Sequence, residues 1–141
     1  MKIYNILLVD DDDDVRKILK RFLDMEGKFA VAEAEDGIEA LKILKKKSTD
    51  IVVADHSMPN LSGIEMFEEV AEKYPEIIRI LLSGVAGANT EILTEAINKG
   101  TIDCFFEKPL NLECLINRLD KEIELAERRK MNPKMSREIE E

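Results

Sequence analysis

The sequence predicts an α/β fold in which a parallel sheet is doubly wound, with helices on both faces. Three observations predict it. Short apolar runs and stretches of helical periodicity alternate five times along the chain. The best runs are continuous rather than alternating, as strands buried on both faces require. Each helical stretch is long enough to cross back over a sheet, and right-handed crossovers place such helices against it.

Taken in order, Ile6, Leu7, Leu8 and Val9 form a strand-sized run that ends in acids. A helix follows, with Val15, Ile18, Leu19, Phe22 and Leu23 at helical spacing. Asp12 to Asp14 supply its cap and first-turn acids, and Gly27 is placed to end it. Phe29, Val31 and Ala34 suggest a second, weaker strand. Ile38, Leu41 and Leu44 mark the next helix, whose C-terminus Lys45 to Lys47 favour. Ile51 to Ala54 make a third strand that stops at Asp55. Ile64, Phe67, Val70 and Ala71 line a helix ending before Pro75. Ile77 to Leu82 read as a fourth strand, stopping at Ser83-Gly84. Ile92, Leu93, Ala96 and Ile97 give a helix closed by Gly100. A fifth strand around Cys104 to Phe106 ends at Lys108-Pro109, and a last helix starts near Asn111 or Leu112.

Composition narrows the function classes. The 141 residues suit one domain with a tail; 45% are hydrophobic and 36% charged, which fits a globular chain. A net charge of −9 lacks the basic footprint that nucleic-acid backbones or anionic lipid require, so proteins and cations are the expected partners. No apolar stretch approaches a membrane span or a signal-peptide core, and a cytoplasmic location is the default. Cys104 and Cys114 have neither CxxC nor metal-ligand spacing with the single His56 and read as ordinary core or surface residues.

In a doubly wound sheet, ligands bind at the carboxyl ends of the strands. Those ends carry Asp10 and Asp11 after the first strand, Asp55 after the third, Ser83 after the fourth and Lys108 after the fifth. Crowded carboxylates repel one another unless a cation or a proton compensates, and an all-oxygen site suits Mg²⁺ or Mn²⁺. With such a metal present, an aspartate can attack a phosphoryl donor and form an acyl phosphate. A lysine as point charge and a hydroxyl as donor complete the set. Asp55 stands alone on its strand end and is the natural nucleophile, whereas Asp10 and Asp11 are adjacent and can share the metal.

The strings ILLVDDDDD, AEDGIEAL, IVVADHSMPNLSGIEMF, ILLSG and FFEKPL, in that order, resemble the receiver domains of two-component response regulators over residues 3 to 122. The resemblance implies a flavodoxin-like, five-stranded sheet of order 2-1-3-4-5. It implies that Asp55 accepts a phosphoryl group from a sensor histidine kinase, a phosphotransfer protein or a small phosphodonor. Asp11 and Asp55 would ligate the metal by carboxylate, Asp10 through water and Ser57 by its backbone carbonyl. Ser83 takes the switch-hydroxyl position, Lys108 that of the phosphate-pairing lysine and Phe105 that of the switch aromatic. Lys108-Pro109 matches a peptide that is frequently cis in the family. Ser57 and Val85 hold variable positions that influence phosphoryl lifetime. His56, where the family more often has an apolar residue, is expected to be an exposed or partly packed loop side chain.

The expected function is a regulatory switch, not an enzyme in the usual sense, acting on an output domain or protein that the sequence does not identify. The alternatives are a receiver module of a larger signalling enzyme and a phosphorylation-independent binding scaffold. The intact acid, hydroxyl and lysine set argues against the scaffold. AINKGTIDCFFEKP resembles a receiver subgroup often joined to cyclic-dinucleotide enzymes. A phosphatase with an aspartyl nucleophile lacks a second acid two residues after Asp55, where Ser57 stands.

The domain organisation reads as a receiver over residues 1–122, with an extended C-terminal helix and polar tail over 123–141. Leu112, Ile116, Leu119, Ile123 and Ala126 continue an apolar seam beyond what the core needs. The extension near Ile123 and Ala126 is expected to be free for a homodimeric coil or a connector, the alternative being an amphipathic helix that folds back on its own domain or frays in water.

Overall fold

A computed structural model describes residues 2–84 and 90–132. Its elements alternate as predicted: β1 (Tyr4–Val9), α1 (Asp13–Asp24), β2 (Phe29–Ala34), α2 (Gly37–Lys46), β3 (Ile51–Asp55), α3 (Gly63–Lys73), β4 (Ile78–Ser83), α4 (Thr90–Asn98), β5 (Cys104–Glu107) and α5 (Leu112–Met131). Every strand pairing is parallel and the order is β2-β1-β3-β4-β5. This is the doubly wound, flavodoxin-like arrangement, in which strand order reverses between β1 and β3.

Successive strand side chains point to opposite faces, and this divides the core in two. Ile6, Leu8, Ile51, Val53, Ile80 and Leu82 face α1 and α5, meeting Leu19, Leu23, Leu115 and Leu119. Leu7, Val9, Val52, Ala54 and Leu81 face the other way, onto Ala40 and Leu44 of α2, Phe67 and Val70 of α3, and Leu93 of α4. Burying each large apolar side chain stabilises the fold by roughly 1.5–3 kcal/mol before chain entropy opposes it. Full burial on both faces explains the apolar runs over residues 6–9, 51–54 and 80–82 of the three central strands.

Helix ends follow side-chain capping. Asp12, Asp36 and Asn111 accept hydrogen bonds from first-turn N–H groups of α1, α2 and α5, and Ser62 forms a capping box with Glu65 on α3. Gly27 and Gly100 take positive φ after α1 and α4, where a left-handed residue lets the chain turn back toward the sheet.

The structure departs from the sequence expectation at α5. Ile123 is buried at 9% exposure within the core shared by β1, β3 and β4, and Ala126 packs against the same cluster. The seam expected to be free for a coil or connector is therefore occupied by the protein's own body. Lys2 pairs with Glu127, and Lys28 with Asp120, strapping the helix to the chain ahead of β1 and β2. Val85 and the tail from Pro133 onward lie outside the described residues. Among the described residues no helix is long and apolar enough to cross a membrane.

Candidate active site at the carboxyl rim of the sheet

The strand ends deliver the predicted residues to one place. Asp10 follows β1 directly, and its N–H continues the ladder to the Ala34 carbonyl at 3.2 Å. Its carboxylate is almost fully buried, at 3% exposure, with Oδ1 accepting the Asp12 N–H at 2.9 Å. Oδ2 is buried and makes no hydrogen bond. Asp11 beside it is exposed. Asp55 is the last residue of β3 rather than the first of a loop, and it is 6% exposed. Oxygens of Asp10, Asp11 and Asp55 all lie within 4.8 Å of one another.

Lys108 reaches this cluster from the loop after β5. Its Nζ lies 3.1 Å from Asp55 Oδ1 and 3.5 Å from Asp10 Oδ2. Its backbone N–H donates to the Ser83 carbonyl at 2.8 Å, and the Lys108-Pro109 peptide is cis. Ser83 closes β4 with a buried side chain whose hydroxyl donates a long bond, 3.3 Å, to the Gly84 carbonyl. Ser57 is exposed two residues past Asp55. Phe105 is half-buried on β5 and packs toward the α2, α3 and α4 side, while Phe106 packs toward α1 and α5.

The electrostatics follow from this crowding. Burial raises the Asp10 carboxyl above the usual range, and the charge of Asp55 adds to it, against the Asp12 N–H and Lys108. Burial alone would lower the Lys108 ammonium, but its bond to Asp55 and the charges of Asp55 and Asp10 outweigh that and leave it raised. One ammonium thus sits opposite three carboxylates. Two acids remain without compensation, and an all-oxygen donor set with a buried Oδ2 that makes no hydrogen bond fits a hard divalent cation.

Two residues that hold the site were not singled out from the sequence. Gly63 opens α3 so close to β3 that a Cβ there would lie 2.7 Å from the Asp55 carbonyl oxygen and 2.6 Å from Leu81 Cδ1. Its N–H donates to the His56 carbonyl at 3.0 Å, and His56 N–H donates to the Leu82 carbonyl at 2.8 Å, so the strand end carrying Asp55 is fixed from two sides. Arg16 is buried beneath Asp10 and donates to the Asp10 carbonyl. Its signal was its phase: it stands three residues before Leu19 and seven before Leu23, on the inward stripe of α1. The His56 ring is partly packed, as expected, with Nδ1 buried and unbonded. Neither cysteine joins the site: Cys114 is exposed, and burial pushes the Cys104 thiol up to about 12.

Comparison with known proteins agrees with this geometry. A profile of the response regulator receiver domain matches residues 6–120. The chemotaxis protein CheY-3 of Vibrio cholerae is 35% identical over 117 residues, which cover 82% of this chain and 88% of CheY-3. The hydrogenase transcriptional regulatory protein HoxA of Cupriavidus necator is 32% identical across 84% of this chain but only 24% of its own length. The chain therefore spans about a quarter of that larger relative. Among solved structures, the signal receiver domain of an HD domain-containing protein from Pseudomonas fluorescens Pf-5 superposes with a TM-score of 0.81 at 26% identity, covering 89% of this chain and 98% of that one. An uncharacterized protein from Neptuniibacter caesariensis does so at 0.83 and 33%, covering 96% and 98%. With its fold, its rim of acids, hydroxyl and lysine, and this match over most of its length, the chain belongs to the response regulator receiver domain family.

Proposed function

We propose that Asp55 accepts a phosphoryl group in a reaction dependent on Mg²⁺ or Mn²⁺, and that the new charge shifts the protein between two conformations with different protein-binding surfaces. The observation that carries this reading is the convergence of Lys108 Nζ on the buried carboxylates of Asp55 and Asp10, at 3.1 and 3.5 Å. Asp11 and Asp55 would hold the cation by carboxylate, Asp10 through water and Ser57 by its carbonyl. When bound, the cation supplies the positive charge that lets an anionic carboxylate approach an anionic phosphoryl group.

In this reading an Asp55 oxygen attacks phosphorus while the bond to the donor breaks, and the leaving group departs with the electron pair. The product is an acyl phosphate on Asp55. Lys108 then exchanges its carboxylate contact for a phosphoryl oxygen, acting as a point charge. Ser83 gives up its long bond to Gly84 and donates to the phosphoryl group instead. Phe105 has no hydroxyl to report that change, so its response is one of packing and burial.

The donor would be a sensor histidine kinase, a phosphotransfer protein or a small phosphodonor. An apolar cleft of about 210 Å³ beside Lys108, lined by Val15, Ile18, Leu19 and Leu110, offers a protein donor a docking surface. A cytoplasmic location goes with such donors. The output is either a separate protein or a domain joined to this one, and the larger size of HoxA favours the joined domain.

Incubation with Mg²⁺ and acetyl phosphate, followed by intact mass, tests the reading. The expected result is a mass gain of one phosphoryl group that disappears with chelator and in Asp55→Ala. Label that persists in Asp55→Ala would contradict the assignment.

A further inference from the structure

We infer that Arg16, braced by Glu33, is a positioning residue for the Asp10-Asp11 peptide and through it for the Asp11 carboxylate, setting the cation affinity of the rim. The inference rests on the reading that these acids, with Asp55, hold a divalent cation. Arg16 lies in the first turn of α1 yet is only 6% exposed. A guanidinium that far from water is costly unless its donors are engaged. Here they are divided among three segments. Nη1 donates to the backbone carbonyl of Asp10, Nη2 pairs with the Asp13 carboxylate, and Nε donates to Glu33 Oε1 at 3.1 Å.

The carbonyl so held belongs to the peptide joining Asp10 to Asp11. A peptide unit is planar, so fixing its oxygen fixes the direction in which the Asp11 Cα leaves. Asp10 aims its own carboxylate by other means, through the Asp12 N–H on Oδ1. Asp11 is exposed, and the direction of its carboxylate depends on the backbone that carries it. Glu33 extends the brace to the sheet: it stands on β2 immediately before Ala34, whose carbonyl accepts the Asp10 N–H. The end of β2 therefore holds the Val9-Asp10 peptide by its N–H while the first turn of α1 holds the Asp10-Asp11 peptide by its carbonyl, so Asp10 is gripped from two sides.

Charge alone does not explain the arrangement. Arg16 faces Asp13 and Glu33, two carboxylates against one guanidinium, so its own field at the rim is largely offset. What it contributes is a fork that can hold a carbonyl and two carboxylates at once. Lysine keeps the charge and lacks the fork.

The test is Mn²⁺ binding, followed by the electron paramagnetic resonance of the free ion, for the wild type, Arg16→Met, Arg16→Lys and Glu33→Gln. Measurements are made well below each variant's unfolding transition, with folding checked by far-ultraviolet circular dichroism, so a merely structural role would leave the affinity unmoved. Arg16→Met should weaken binding about 10-fold or more, the usual consequence of losing a partner that orients a ligand. Arg16→Lys should fail to restore it, and Glu33→Gln should weaken binding in the same direction by less. Wild-type affinity in folded Arg16→Met or in Arg16→Lys overturns the inference. Should Arg16→Met not fold, wild-type affinity in Arg16→Lys overturns it equally. A wild type that takes up no Mn²⁺ overturns the cation reading itself, which separates that failure from binding that the substitutions leave unchanged.

Discussion

Replacing Gly63 with alanine adds one methyl group at the point where α3 meets the residue proposed to carry the phosphoryl group. The new Cβ would stand 2.6 Å from Leu81 Cδ1, 2.7 Å from the Asp55 carbonyl oxygen and 3.0 Å from His56 Cα. Ordinary contact begins near 3.4 Å, so the Asp55 contact alone requires the two backbones to separate by 3.4 − 2.7 = 0.7 Å. Leu81 is fully buried and has little room to turn aside. Overpacking of this kind costs roughly 1–3 kcal/mol. Alanine recovers at most about 1 kcal/mol of helix propensity, less at a first helical position. The net expectation is a loss of about 1–2 kcal/mol. The displaced strand end should also slow phosphorylation by acetyl phosphate about 10- to 100-fold, because reactivity is sensitive to misplacement on this scale. Gly37→Ala is the control: its Cβ would meet only the Leu61 side chain, at 3.0 Å, which can rotate away, so stability should stay within about 0.5 kcal/mol. Urea midpoints and phosphorylation rates measure both. A Gly63→Ala protein with wild-type stability and wild-type rate would refute the close-approach argument.

Three further outcomes follow from the same structure. Lys108→Met removes the ammonium between Asp10 and Asp55 and should cost about 1–2 kcal/mol without metal, below the 3–5 typical of a fully buried pair because the lysine is 30% exposed. Millimolar Mg²⁺ should recover most of that loss in a thermal melt, and no recovery would count against a shared cation site. Glu122 is buried on α5, where burial and the charge of Asp103 raise its carboxyl against Arg118 and Arg129. The folded protein then holds this proton more tightly than the unfolded chain, so the contribution to stability is full in acid and is lost as pH rises from the ordinary glutamate range through the raised value. Glu122→Gln should flatten that fall in urea midpoints taken from about pH 4 to 8, and an unchanged slope would contradict the assignment. Ile123→Ala should cost about 2–4 kcal/mol, as for a core residue, with no change of oligomeric state by light scattering. A neutral effect would return the residue to a free seam.

The parts legible in the sequence were those governed by local pattern. The apolar runs of β1, β3 and β4 occupy both sides of their strands because both faces of the sheet are covered, and each run gives way to the rim residues. The rim itself could be read because topology alone brings the strand ends together. What escaped were polar residues whose partners lie far along the chain. Arg16 depends on Glu33, 17 residues away, and Arg79 of β4, fully buried, donates to the carbonyls of Thr101 and Gly100 beyond α4. A charged residue reads as surface until its acceptors are located, and no periodicity reveals a carbonyl. Ile123 and Ala126 illustrate the opposite difficulty: an apolar seam looks the same whether its partner is a second helix or the protein's own sheet. Boundaries moved by single residues for a similar reason. Asp55 and Ser83 lie inside their strands because ladder hydrogen bonds continue to the rim through His56 and Lys108.

In the proposed function the ends of four strands, β1, β3, β4 and β5, form one phosphoryl-transfer site with Asp55 as its nucleophile. Its most direct measurement is to treat the protein with acetyl phosphate and Mg²⁺, trap any acyl phosphate with borohydride, and map the reduced residue by tandem mass spectrometry. The expected result is a single converted position, residue 55, with none in the presence of chelator. Conversion at Asp10, Asp11 or any other residue while Asp55 remains intact would contradict it.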